Sequence, residues 1–223
     1  MNDQPSAPLR ARVTGPVAAA LLVLAGVLIA LAWTGVLQGG DTGTAVGLAA
    51  DRIPGVTVIA LVVTELGNTV GSTAVALVGG AVLAVRGRVA EGLCLAAVPL
   101  VASVVFTVVK RILDRARPPA DLQVMAVANE SLPSGHATMV AAAWTTLLLV
   151  LWPVLRTRGR VLLTAFAVLW AGAVGFTRIY LGVHWLSDVL AGWTLGAALA
   201  FTGVTVLSLV LARRTRRPDT AAA

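Results

Sequence analysis

The sequence predicts an all-α, polytopic membrane protein, a helical bundle of six transmembrane helices. Three observations lead there. Mean hydropathy is +0.90. Of the 223 residues 58% are hydrophobic, and only 12% are Asp, Glu, Lys or Arg, about half the charged share of a soluble domain. Apolar runs of about 20 residues recur, the length a helix needs to cross a bilayer. Gly and Ala are frequent within them, which suits close helix–helix approach in lipid.

The spans run near Val17–Leu37, Val56–Val85, Gly92–Ile112, Ala137–Leu155, Val161–Phe176 and Val189–Leu211. The first is longer than the apolar core of a cleavable signal peptide, and more spans follow it. The second is long and is interrupted by Glu65, Gly67, Asn68 and Gly71. It reads as a kinked span or as one that begins as an interfacial helix. An ionisable group at membrane depth is a functional candidate by default, so Glu65 is placed either near a substrate cavity or in packing or a helix break. The chain divides into a tail (1–16), a six-helix domain (17–212) and a basic carboxyl tail (213–223), with Met1–Arg12 and Arg213–Ala223 read as short disordered ends.

Charge sets the orientation. Arg10 and Arg12, Arg86 and Arg88, Arg156, Arg158 and Arg160, and Arg213, Arg214, Arg216 and Arg217 make eleven of the 17 basic residues. With six spans these segments share one face, which the positive-inside tendency makes cytoplasmic. Both termini then lie in the cytoplasm. The net charge of +7 follows from topology, and no nucleic-acid partner is needed to explain it. Arg52, Lys110, Arg111, Arg115, Arg117 and Arg178 fall on the opposite, external face, against that tendency. They need another reason.

Three polar stretches lie on that external face: KRILDRARPP (Lys110–Pro119), SLPSGH (Ser131–His136) and TRIYLGVHWLSD (Thr177–Asp188). They hold the chain's single lysine, Lys110, and both its histidines, His136 and His184. Several cations with two imidazoles suit an anion. Arg offers planar, forked hydrogen bonding to phosphate oxygens and Lys a point charge. Ser134 is placed to cap the helix that follows, and a helix N-terminus presents free N–H groups to a phosphate. Gly135 admits close backbone approach. His184 and Asp188, spaced i, i+4, share a helix face. The carboxylate would hold one ring nitrogen protonated and leave the other as a nucleophile. His136 would protonate the leaving oxygen and later activate water. The surrounding arginines would repel a metal cation, so no metal and no cofactor is expected.

These stretches resemble the signature of the type 2 phosphatidic acid phosphatase (PAP2) family, the lipid phosphate phosphatase superfamily. Lys110, six residues, then Arg117-Pro118 fits its first element, and Pro133-Ser134-Gly135-His136 its second. Arg178, five residues, His184, three residues and Asp188 fit its third. Thr177 stands where the family usually has Ser, and keeps the hydroxyl. The close match covers roughly Lys110–Asp188. The resemblance implies catalytic roles for three residues: His184 forms a phosphohistidine, Asp188 orients it and His136 is the general acid. It implies that Lys110, Arg117, Ser134, Gly135 and Arg178 hold the phosphate, without a metal.

The expected function is therefore a membrane enzyme that hydrolyses a lipid phosphomonoester or diphosphate. Undecaprenyl diphosphate and phosphatidic acid lead, and phosphatidylglycerol phosphate comes next. The partners are the lipid phosphate and the surrounding membrane lipids. A phosphotransferase with an alcohol acceptor and a non-catalytic lipid-binding or transport protein stay open. Around the site, Arg111 and Arg115 read as interface anchors or lipid-headgroup contacts, one of them paired with Asp114. Thr177 reads as a helix-end hydroxyl or a phosphate contact, and Tyr180 and Trp185 as lining the lipid entry. Trp33, Trp152 and Trp185 read as interface anchors, Trp144, Trp170 and Trp193 as bundle packing, and Cys94 as packing.

Overall fold

A computed structural model describes residues 7–215, with side chains described from residue 10 to residue 213. Helices follow in the order α1 (Ala7–Trp33), α2 (Gln38–Ala50), α3 (Pro54–Leu66), α4 (Thr69–Val85), α5 (Val89–Leu113), α6 (Gly135–Leu151), α7 (Thr157–Tyr180) and α8 (Leu186–Thr215). A single 3-10 turn, Ala120–Leu122, interrupts the long loop before α6. The described residues contain no strand.

Four helices, α1, α5, α7 and α8, are long and apolar enough to cross a membrane. Helices α3 and α4 pass together as one span bent by 46°. Helix α6 is apolar but has 17 residues, so its length is about 26 Å against a hydrocarbon core of about 30 Å. Among the described residues the spans number four by length and apolarity, or five with the bent pair; the expected sixth is the short α6.

Two departures from the sequence reading stand out. Helix α1 begins at Ala7, so much of the expected tail is helical; residues 1–6 and 216–223 lie outside the described residues. Helix α2 was not foreseen. Its sequence, QGGDTGTAVGLAA, is rich in glycine, which disfavours helix by about 1 kcal/mol per residue. It forms because it packs on α7 and α8 and buries Asp41 and Ala45. The interruption in the second span is a helix break. Asn68 caps α4, its Oδ1 accepting from the Gly71 amide at 2.8 Å, and its Nδ2 donates to Glu65 at 2.9 Å. Glu65 thus sits exposed at the elbow.

The interior is built from small side chains and the exterior from large ones. Ala45, Ala102, Ala137, Ala142, Ala143, Ala191, Ala198 and Ala200 are fully buried, while Val85, Val70, Ile112 and Leu169 are at least 72% exposed. Lipid-facing bundles require this arrangement, because lipid solvates large apolar groups and close packing needs small ones. Helix α8 lies on both α1 and α6. Gly192 and Gly196 make the second contact possible: a Cβ there would stand 2.8 Å from the Ser134 carbonyl oxygen and 2.3 Å from that of Thr138. At the far end of α6, Arg10 donates to the Leu149 carbonyl, Arg88 to that of Val150 at 2.7 Å and Arg160 to that of Trp152 at 3.0 Å. Cations there satisfy orphan carbonyls and suit the negative end of the helix dipole. Trp33 and Trp152 are about half exposed. Trp144, Phe166 and Trp170 pack ring against ring, and Trp193 donates to the Ala171 carbonyl at 3.0 Å. Cys94 packs against the apolar core.

Candidate active site

Helix α5 stops at Asp114, whose φ of 45° is left-handed and turns the chain back over the bundle end. Asp is among the few residues that adopt this conformation readily. The returning segment is tied to the turn by a bond from the Ser131 amide to the Arg115 carbonyl at 2.8 Å, and to α8 by one from the Ser134 amide to the Asp188 carbonyl at 3.0 Å. The third stretch turns at Gly182, with φ +70°. Beyond it the amides of Val183 and His184 both donate to the Arg178 carbonyl at 3.2 Å. The three polar stretches therefore meet at one end of the bundle.

His184 and Asp188 are buried, at 2% and 0% exposure. Asp188 occupies the third position of α8, and its Oδ2 reaches back to accept from the Trp185 amide at 3.0 Å, as the acidic residue of a capping box does. The same oxygen lies 3.3 Å from His184 Nδ1 and accepts from the Ser131 hydroxyl. An ionised carboxylate only accepts, so Nδ1 carries the ring proton and Nε2 holds the lone pair. Nε2 faces Arg117, whose Nη1 is 3.2 Å away. Burial first, and then the positive charges of Arg117, Lys110 and Arg178 together with His136, hold the imidazole well below its usual pKa. It is neutral at pH 7.

Lys110 and Arg178 join Arg117 in acting electrostatically on the ring. Lys110 is buried and donates to the carbonyls of Glu130 and, at 3.1 Å, Ser131. Arg117 is held by the Asn129 carbonyl at 2.6 Å, the Asn129 side chain, and the carbonyls of Val183 and Glu130. Arg178 is 3% exposed and donates from Nη1 to Thr64 at 2.7 Å, and its Nε is buried without a hydrogen-bond partner. Such a donor is rare inside a folded protein and could be satisfied by the oxygen of an anion. Ser134 caps α6, accepting from the Ala137 amide at 3.5 Å. Gly135 and His136 open the helix, with the Phe106 ring against Gly135. A cavity of about 370 Å³ opens beside Lys110, lined also by Phe106, Thr107, Arg111, Ala128, Asn129 and Glu130. Every residue singled out for the site in the sequence thus lies at this end of the bundle.

Several neighbours depart from the sequence reading. Arg115 is no interface anchor and does not pair with Asp114. It is buried, with Nη1 2.5 Å from Asp188 Oδ1 and Nη2 2.8 Å from Asp41 Oδ2. Trp185 is buried, donating to the Ala116 carbonyl at 2.9 Å. Tyr180 is buried too, its hydroxyl accepting from the Ile53 amide at 3.1 Å. Neither lines an open lipid entry. The Thr177 hydroxyl bonds the Val174 carbonyl at 2.6 Å, so it is the helix-end hydroxyl. Sequence reasoning missed Asp41, Thr64, Ser131 and Ser187. The one available signal was Asp41, an isolated acid between two apolar segments.

Fold and site together define a polytopic helical membrane protein that carries a buried His–Asp pair in a cluster of cations. The chain belongs to the PAP2 superfamily, whose family model matches residues 91–216. It is similar to an undecaprenyl-diphosphatase of Sulfolobus acidocaldarius, 37% identical over 35% of this chain and 34% of that protein. Phosphatidylglycerophosphatase B of Escherichia coli K12 is 40% identical over 31% of this chain and 26% of its own length. That of Bacillus subtilis is 33% identical over 42% and 47%. The chain spans less than half the length of these curated relatives. A crystal structure of a transmembrane PAP2-type phosphatidylglycerolphosphate phosphatase from Bacillus subtilis shares the fold, with a TM-score of 0.76 over 90% of this chain and 98% of that one at 24% identity.

Proposed function

We propose that the protein is a membrane lipid phosphatase that hydrolyses a lipid phosphomonoester or diphosphate through a phosphohistidine on His184. The observation that carries this reading is the state of His184: Nδ1 on Asp188 and Nε2 turned toward Arg117. Lys110, Arg117 and Arg178, with the first turn of α6 at Ser134 and Gly135, bind the phosphate. Arg117 moves off Nε2 as the phosphate arrives. Nε2 attacks phosphorus, the N–P bond forms, and the P–O bond to the leaving group breaks with its electron pair on oxygen. His136 gives that oxygen a proton. The ring becomes positive and faces the Asp188 carboxylate, which stabilises the charge as it develops. Water then attacks phosphorus as His136 takes its proton; the new P–O bond forms, the N–P bond breaks with its electron pair returning to Nε2, and inorganic phosphate leaves.

Undecaprenyl diphosphate and phosphatidylglycerol phosphate are supported by the names of the relatives, and phosphatidic acid by the same chemistry. The headgroup reaches the site through the cavity beside Lys110. Helix α6 is the sixth span, both termini are cytoplasmic and the site is extracytoplasmic, a topology supported by the arginine distribution.

The test is phosphate release by purified protein in detergent with EDTA present, on the three lipids and a soluble phosphomonoester, beside His184→Ala. Release from a lipid that resists EDTA and disappears in the variant is expected. Turnover that survives in His184→Ala overturns the mechanism.

A further inference from the structure

We infer that Asp41 and Arg115 are positioning residues for the nucleophile: a buried chain Asp41–Arg115–Asp188 fixes the carboxylate that orients His184. The inference rests on the reading of His184 given above.

All three members of the chain are buried, Asp41 at 2%, Arg115 at 9% and Asp188 at 0% exposure. The planar guanidinium splits its two ends between the carboxylates. Nη1 takes Asp188 Oδ1 and Nη2 takes Asp41 Oδ2. With Oδ1 occupied, Oδ2 of Asp188 is the oxygen left for His184, Ser131 and the Trp185 amide. Ser187 locks the arrangement. Its hydroxyl accepts from Arg115 at 2.9 Å and donates to Asp41 at 2.5 Å, and its amide donates to Asp41 Oδ1 at 2.9 Å. Asp41, from α2, therefore supplies a carboxylate to the first turn of α8, where a negative charge suits the helix dipole. That same turn carries Asp188.

Stability alone does not account for this chain. Desolvating buried charges offsets most of what their attraction returns, and well-packed apolar residues often serve as well. The charge count has a specific consequence at the site. Arg115 alone would neutralise Asp188 and weaken its hold on the imidazolium that forms during phosphoryl transfer. Asp41 balances Arg115, so a net negative charge remains beside His184. Lys in place of Arg115 keeps the charge but lacks the fork that reaches both carboxylates and Ser187.

The experiment measures kcat and KM of the full-length protein in detergent on phosphatidic acid and undecaprenyl diphosphate. Wild type and His184→Ala are compared with Asp41→Asn, Arg115→Lys and the double variant. Asp41→Asn keeps the shape and removes the charge. For each single variant kcat is expected to fall about tenfold to a hundredfold, the scale seen for residues that orient the histidine ligands of metal sites. KM should stay within about twofold, the pattern of an interaction made in the transition state. The double variant should lose little more than the worse single one. A wild-type kcat in either folded single variant overturns the inference, and so does a loss carried by KM. Arg115→Lys decides the matter if Asp41→Asn does not fold. Failure of the parent reading looks different: wild type releases no phosphate, or His184→Ala still releases it.

Discussion

Gly182→Ala tests whether the turn before His184 is built to close tolerance. Gly182 has φ +70°, and a Cβ there would stand 1.9 Å from the Leu122 carbonyl oxygen and 2.9 Å from Arg52 Nη2. Ordinary contact begins at 3.4 Å, so the loop and the 3-10 turn must separate by about 1.5 Å. That separation strains two ties. The Arg52 guanidinium donates to the same Leu122 oxygen at 2.6 Å, and the Val124 amide donates to the Leu181 carbonyl at 3.0 Å. A non-glycine residue held in a left-handed conformation costs about 1–3 kcal/mol, and each strained hydrogen bond adds about 1 kcal/mol. The expected destabilisation is about 3–5 kcal/mol. His184 is two residues on, so its ring shifts by a fraction of that 1.5 Å, and a displacement near 1 Å lowers turnover by about a hundredfold. Thermal unfolding in detergent and kcat for phosphate release check both parts. A variant with wild-type melting temperature and wild-type kcat would refute the reasoning, because the contact at Leu122 would then be soft.

Two more outcomes follow from the same geometry. His184 has a folded-state pKa well below its usual value. The unfolded chain therefore binds a proton that the folded one does not once pH drops below about 6.5. This contribution to stability is full above that pH and is lost on acidification, by about 1 kcal/mol between pH 7.5 and 5.5. Comparing melting temperatures at the two pH values in wild type and His184→Gln isolates it, and equal slopes would contradict it. Thr64→Val removes the acceptor of Arg178 Nη1 and leaves a second buried donor beside the unpartnered Nε. It is expected to destabilise by about 1–3 kcal/mol, and saturating inorganic phosphate should recover part of that. The same deficit with and without phosphate would show that Arg178 does not meet the anion.

The motif residues were legible because each carries chemistry that its surroundings do not otherwise require. A lone lysine, two histidines and misplaced arginines in an apolar chain call for an explanation. The apolar membrane helices were legible because a bilayer imposes length and apolarity on the sequence itself. The neighbours were harder to read. Arg115 and Arg111 look alike in KRILDRARPP, yet the left-handed turn at Asp114 buries Arg115 against α8 and leaves Arg111 exposed. Trp185 reads as an interface anchor only until Ala116 folds over it.

By itself the sequence determined a polytopic helical membrane protein, an interruption of the second span between Glu65 and Gly71 and a set of candidate residues for an anion site, since hydropathy, helix-breaking residues and motif spacing are local properties. Only the tertiary structure decided that α2 is a helix, that Asp41 reaches Arg115 from 74 positions away, and which oxygen of Asp188 is left for His184. Those facts depend on which groups lose their water together when helices pack, and a buried charge takes its partner from whatever the fold brings within reach.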